Sequence, residues 1–255
     1  MKVNQQPGFV LHCRPYSETS LLVELFTREY GRLTVIAKGA RRQKQNMRGV
    51  LTAFVPLLVS WSGKGQLPIL TGAEQTGLMQ NLPHKNLMCG FYMNELLLKF
   101  LHRFDAHENL FDEYSNAVSR LIVTENLAAN LRVFEKYLLG ETGFGLILDH
   151  DTETGEEIDV TESYCYEINK GPVKVSPNMP SHGNTFLVNG QSLTDLHRNE
   201  FTNDRTLSEA RRLTGSAIQQ QLQNRSIKSK AILVDINRYI STDLPDTPKE
   251  PDSNE

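Results

Sequence analysis

Residues 31–49, GRLTVIAKGARRQKQNMRG, decide how the rest of the chain is read. Their first half, Arg32-Leu33-Thr34-Val35-Ile36-Ala37, is apolar and β-branched and predicts a strand. The strand runs out at Lys38-Gly39 into a polar segment carrying Arg41, Arg42, Lys44 and Arg48. No Asp or Glu occurs between Tyr30 and Ala73. Such a loop repels itself and has no internal counter-charge, so its charge points to a polyanionic ligand. A solvated surface loop is the alternative reading. The strand context and the missing acids favour nucleic-acid contact.

Around this stretch the pattern is that of short strands. Phe9 to Arg14 reads as one, broken by Pro15, and Leu21 to Thr27 as a second, turned by Arg28-Glu29-Tyr30-Gly31 into the third. Val50 to Trp61, with Pro56 at an edge or bulge, and Leu67 to Thr76, after the turn Ser62-Gly63-Lys64-Gly65, complete five. Five strands match a small Greek-key barrel of the oligonucleotide-binding (OB) type, and a five-stranded barrel of another kind fits the periodicity equally well.

From Pro83 the period becomes helical. Leu87, Met88, Phe91, Tyr92, Glu95, Leu96, Lys99 and Phe100 recur at three and four, as do Leu110-Tyr114-Ala117-Leu121 and Leu131-Phe134-Leu138, which stops at Gly140 and Gly143. An acidic loop, Asp149 to Asp159, leads to a hairpin with Tyr164–Ile168 and Val173–Val175 around Asn169-Lys170-Gly171-Pro172. Residues 177–184 read as loop. Thr206-Leu207-Ser208-Glu209 has capping-box spacing and opens a helix through Gln223, and a short amphipathic helix spans Lys228 to Ile240. The expected architecture is α+β: residues 1–80 form the barrel and 81–240 a mainly helical domain with a 149–190 loop and hairpin insertion. Residues 241–255, rich in Pro and acids, form a disordered acidic tail.

Net charge is −3, but residues 1–80 hold ten Lys/Arg against four acids, so the front of the chain is +6 and the remainder −9. A basic front and an acidic back imply different partners. No apolar run approaches membrane-span length, and MKVNQQPGF lacks a signal-peptide core, which predicts a cytoplasmic protein without membrane contact. Cys13, Cys89 and Cys165 stand too far apart for a local disulfide framework or thiolate zinc site.

Catalytic chemistry finds little support. Gly63-Lys64-Gly65 echoes a phosphate-binding loop but lacks its Ser/Thr and upstream Gly, and the Gly140–Gly145 cluster follows a helix rather than a strand. Asp149-His150-Asp151 has no second ligand cluster to complete a metal site, and His102 and His107 are not at a same-face spacing. Glu95, on an apolar helix face, is expected to bond Arg103 or a backbone amide. No catalytic residue, cofactor or metal site is expected.

Residues 10–42, VLHCRPYSETSLLVELFTREYGRLTVIAKGARR, resemble the N-terminal signature of the bacterial recombination mediators of the RecO family: an RPYSE-type turn after the first strand, then the GR-strand-KGARR run. The likeness continues through Gly90–Leu97, Arg132–Glu135 with Leu138–Gly140, and ends near Lys228–Lys230. The resemblance implies an OB-fold followed by a helical domain, and a non-enzymatic protein. Such a protein binds single- and double-stranded DNA, anneals strands coated by single-strand-binding protein, and with RecR helps load RecA. Some members carry a four-cysteine zinc module; here only Cys165 remains in that region, so a zinc-free hairpin is expected.

Phosphate contact is assigned to Arg14, Arg32, Lys38, Arg41, Arg42, Lys44 and Arg48, with Phe9, Tyr16 and Trp61 as stacking candidates. Arg132 and Lys136, four apart on one helix, are the candidates for meeting the carboxylates of the single-strand-binding protein C-terminal tail. Two other readings stay open: an RNA-binding adaptor using the same barrel, and a nuclease, which would need clustered carboxylates that residues 30–73 lack.

Overall fold

Alternating apolar residues build the first third of the chain as a closed sheet. The computed structural model of the protein describes residues 2–42, 47–77, 82–124, 126–176, 185–223 and 226–229. Strands β1 (Lys2–Pro15), β2 (Leu21–Thr27), β3 (Gly31–Ala37), β4 (Leu57–Ser62) and β5 (Ile69–Gln75) form a closed barrel in the order β1-β2-β3-β5-β4. β1 serves two partners: its first half pairs with β4 up to Gly8↔Leu57, and its second with β2 to Pro15↔Leu21. Register shifts at Val3/Gln6 and Val10/His12 let one strand bend around the barrel in this way. Ile36↔Ile69, a parallel contact of β3 with β5, closes the circle. This is the five-stranded OB arrangement.

Two boundaries differ from the sequence reading. β1 begins seven residues before Phe9, through the polar stretch Lys2–Pro7, which has no alternation to read. Residues 50–61 are not one strand: a short helix, α1 (Met47–Val50), and a loop precede β4, and Pro56 stands just before it.

The barrel interior is filled by Val23, Leu25, Leu33, Val35, Val59 and Trp61. Yet β2 is buried on nearly every residue, not on alternate ones. Its outer face is covered. Helices α2 (His84–Phe100) and α3 (Glu108–Val123) pack there, with α4 (Leu127–Glu141) against both of them, and Phe9, Leu11 and Phe26 belong to their core. Phe9 and Phe26 each meet the rings of Phe111 and Tyr114 at 5.1–6.0 Å between centroids. Gly31, at φ +61°, turns β2 into β3 directly against this layer; a Cβ there would lie 1.7 Å from the Asp105 carbonyl oxygen.

Beyond α4, strands β6 (Ser163–Glu167), β7 (Gly171–Lys174) and β8 (Thr185–Asn189) form a sheet in the order β7-β6-β8, backed by α5 (Gly190–Arg198) and α6 (Asp204–Gln221). The expected hairpin is β6–β7; β8 and α5 are additions to it. The cap of α6 is Asn203, whose side chain accepts from Thr206 N, rather than Thr206. Thr206 is instead buried on Asp195 at 2.8 Å, and Glu209 accepts from Asn189 N at the start of α5. The capping-box residues thus join two helices instead of closing one. The helix expected to Ile240, beyond Ser229, and the tail 241–255 lie outside the described residues.

Asp151 organises the acidic loop. One carboxylate oxygen accepts from Glu153 N and Thr154 N at 2.8 and 3.1 Å, and the other from Lys174 N at 2.7 Å, tying the loop to β7. Burial alone would raise this carboxyl, but the amides of Lys174, Thr154 and Glu153 outweigh it and hold it below its usual range. A depressed folded value contributes stability that is complete above the unfolded value of ~3.9 and is lost as pH falls below it. The thermal midpoint of Asp151→Asn is therefore expected to lie below that of the wild type at neutral pH, with the gap closing as the solution is acidified past that value. A gap that stays constant through the acid range would show that the carboxylate charge is not what holds the loop.

Candidate nucleic-acid interface

The KGARR run explains how the barrel presents charge. After Ala37 the backbone turns at Gly39, φ +71°, and tucks Ala40 into the barrel core at 1% exposure. Lys38, Arg41 and Arg42 on either side are thereby directed to solvent. This loop is joined to the β1–β2 turn: Arg41 N donates to Thr19 O at 3.0 Å and Arg41 Nη1 to Ser17 O at 2.9 Å. Arg14 and Tyr16, at the end of β1 and the start of that turn, are exposed beside it. The β4–β5 turn is linked to the same edge through Ile36 N, which donates to Pro68 O at 2.9 Å. It brings exposed Lys64, flanked by Gly63 at φ +146° and Gly65 at φ +94°.

The side chains of Arg14, Lys38, Arg42 and Lys64 make no hydrogen bond or ion pair with a described residue. Glu18 is the one acid within the segments 15–20, 38–49 and 63–68. Cations left without protein partners on joined loops form a positive surface that screens only against solvent ions, which is what a phosphate backbone displaces. The sequence reading did not single out Lys64. The Gly63-Lys64-Gly65 run noticed there as an echo of a phosphate loop is a hairpin turn.

Other predicted residues sit elsewhere. Arg32 is drawn into the seam between barrel and helices: Nη1 donates to Leu98 O at 2.7 Å and Leu101 O at 3.1 Å, and Nε pairs with Glu24 at 3.4 Å. It is a structural link, not a free cation, because β3 lies under the helical layer. For the same reason Phe9, at 2% exposure, cannot stack on a base, and Trp61, inside the barrel at 1%, packs on Tyr30. Lys44 lies outside the described residues, as does the side chain of Arg48.

In the helices, Arg132 is 8% exposed; its Nη2 donates to Glu135 at 2.7 Å, while its buried Nε has no partner among the described residues. Lys136 is turned inward, donating to Leu196 O and His197 O at 2.9 and 2.8 Å, and burial lowers its pKa. It neutralises the carbonyl end of α5 and is not a free cation on a helix face. Glu95 accepts from Lys228 N at 3.0 Å and from Ser229 N at 2.9 Å. Burial would raise its carboxyl, but the Ser229 and Lys228 bonds bring it below the usual range. The backbone-amide alternative therefore holds for Glu95, whereas Arg103 pairs with Glu24 at 3.6 Å. His102 is exposed, but His107 is partly buried between Asp105 and Glu141.

Among the described residues no three His, Cys, Asp or Glu side chains are grouped to hold a metal ion. Asp149 and His150 bond each other at 2.8 Å, which lowers the Asp149 carboxyl. Burial pushes the thiols of Cys13 and Cys89 up to about 11, so neither is a nucleophile at neutral pH. No described helix is long and apolar enough to cross a membrane.

Known proteins resemble this chain over both of its parts. Residues 1–79 match the family described as Recombination protein O N terminal, and residues 84–231 the family described as Recombination protein O C terminal. The DNA repair protein RecO of Polynucleobacter necessarius is 42% identical over 93% of this chain and 98% of its own length. Those of Nitrosospira multiformis and Nitrosococcus oceani are 43% and 40% identical over 89% and 93% of this chain, and over 93% and 96% of their own lengths. A solved asparaginyl-tRNA synthetase from Entamoeba histolytica overlays with a TM-score of only 0.26 at 12% identity, which carries no weight. With both halves matched in order and an OB barrel at the front, the chain belongs to the RecO family of DNA repair proteins.

Proposed function

We propose that the protein is a DNA-binding recombination mediator without catalytic activity. It anneals single strands and, with RecR, helps load RecA onto DNA coated by single-strand-binding protein during repair of gaps and double-strand breaks, in the cytoplasm beside the nucleoid. The observation that carries this reading is the barrel end, where Arg14, Lys38, Arg42 and Lys64 face solvent without partners among the described residues. Binding there needs no base information, because phosphate contacts position a strand without reading it. Holding two strands on one cationic surface lowers their mutual repulsion, and annealing follows with no covalent step.

For the single-strand-binding protein tail, the Nε of Arg132, which has no partner among the described residues, is the donor offered to an incoming carboxylate. Access to it requires its neighbours to shift, since the guanidinium is enclosed.

The test is annealing of complementary oligonucleotides, bare and precoated with single-strand-binding protein, beside matched RNA strands and a magnesium-containing control for strand cleavage. Accelerated annealing on both DNA substrates with intact strands is expected. No acceleration on DNA would defeat the mediator reading, a clear preference for RNA would favour an adaptor, and cleavage would favour a nuclease.

A further inference from the structure

Burial sorts the aromatics that stand near the basic loop. Phe9 and Trp61 are enclosed, but Tyr16 is 54% exposed at the start of the β1–β2 turn and pairs with no other described ring. The turn that carries it is fixed. Tyr16 N donates to Ser20 O at 3.1 Å within the turn, and from the neighbouring loop the Arg41 guanidinium donates to Ser17 O while the Arg41 backbone N–H donates to Thr19 O. The Arg41 side chain is thus engaged where those of Arg14, Lys38 and Arg42 have no partner among the described residues. An exposed ring on a pinned turn, bordered by unpaired cations, has the make-up of a stacking platform for a polyanion whose bases are open.

We propose that Tyr16 is a base-stacking contact for unpaired strands and that Arg41 is its positioning residue, holding the turn that presents the ring. The proposal rests on the reading that DNA meets the barrel end. Inside a duplex each base already has both faces stacked, so away from the ends the ring has nothing to engage; phosphate contacts from Arg14, Lys38 and Arg42 serve either form. Tyr16 therefore separates single strands from duplex at a surface whose charges do not. It also gives annealing a direction, because a base that pairs with its complement leaves the ring and the product is held less tightly than the reactants.

The experiment uses the full chain. Affinities for a fluorescent single strand and for a blunt duplex are measured across a salt series for the wild type, Tyr16→Ala, Tyr16→Phe, Arg41→Ala, the Tyr16→Ala/Arg41→Ala double variant, and Arg14/Lys38/Arg42 all changed to Ala. Tyr16→Ala is expected to lose roughly tenfold in single-strand affinity, with duplex affinity and both salt slopes unchanged, and Tyr16→Phe to bind like the wild type. Arg41→Ala should weaken single strands more than duplex, and that excess should vanish in the Tyr16→Ala background. Equal losses on both substrates, or no loss on either, for Tyr16→Ala would overturn the stacking role. An excess for Arg41→Ala that persists without Tyr16 would overturn the positioning role. If the triple variant binds as the wild type does, the barrel-end reading itself fails; if it is weakened while Tyr16→Ala is not, only the stacking proposal fails.

Discussion

Changing Arg14, Lys38 and Arg42 together to alanine is expected to lower affinity for single-stranded DNA of every sequence by about a hundredfold at low salt, and by progressively less as salt approaches ~1 M. The reason is counter-ion release. Each phosphate contact on a single strand contributes roughly 0.7 to the slope of log affinity against log salt, so three should remove about two units. The fold should not suffer, since these side chains are exposed and have no partner among the described residues to lose. Anisotropy titrations over a salt series, with far-ultraviolet circular dichroism as the check on folding, measure both. A variant with the wild-type slope would remove these three residues from the interface.

The second large effect is expected in the helical layer. Glu135, 1% exposed on α4, accepts from Tyr92 Oη of α2 at 2.7 Å, from Arg132 Nη2 of its own helix at 2.7 Å, and from the Thr214 hydroxyl of α6. One carboxylate thus joins three helices. Burial, with the Glu135 charge, holds the Tyr92 phenol well above its usual value, so it stays a donor at every working pH. Glu135→Ala leaves Arg132 an uncompensated cation in the interior and orphans the Tyr92 hydroxyl, while the Thr214 hydroxyl keeps the Ala210 carbonyl at 3.0 Å. The expected cost is about 3–5 kcal/mol, seen as a fall of roughly 10 °C in thermal midpoint. Adding Arg132→Leu should recover part of the loss, because an apolar pair of similar volume avoids the buried charge. A Glu135→Ala protein melting within a degree or two of the wild type would mean that the layer is held by its apolar core alone.

These cases show what the sequence discloses and what it withholds. The strand run 31–37, its exit at Lys38 and the charge asymmetry were legible because each depends on residues close together in the chain. The first half of β1 was not: Lys2–Pro7 pairs with β4 without an apolar alternation. Arg32 reads as one more cation of a basic run, and only the fold reveals that Leu98 and Leu101 claim it. Arg132 and Lys136 read as neighbours on a wet helix face, yet one faces Glu135 and the other the carbonyl end of α5. Charge is written in the sequence; the partner that occupies it is a property of tertiary contact. The small sheet follows the same rule, since β8 has Leu187 outward and Val188 inward over five residues, too short a pattern to separate from loop.

The seam between barrel and helices bears on how the protein can be divided. A piece cut after residue 79 would carry Phe9, Leu11 and Phe26 as an open apolar patch of roughly 400 Å², large enough to drive self-association. Arg32 and Glu24 beside it would lose the Leu98–Arg103 groups that now engage them. The barrel is therefore not a portable cassette. Chimeras between relatives should be designed to exchange the barrel together with the α2–α3 surface beneath it, and single-residue changes at the loops are the cleaner instrument for dissecting function.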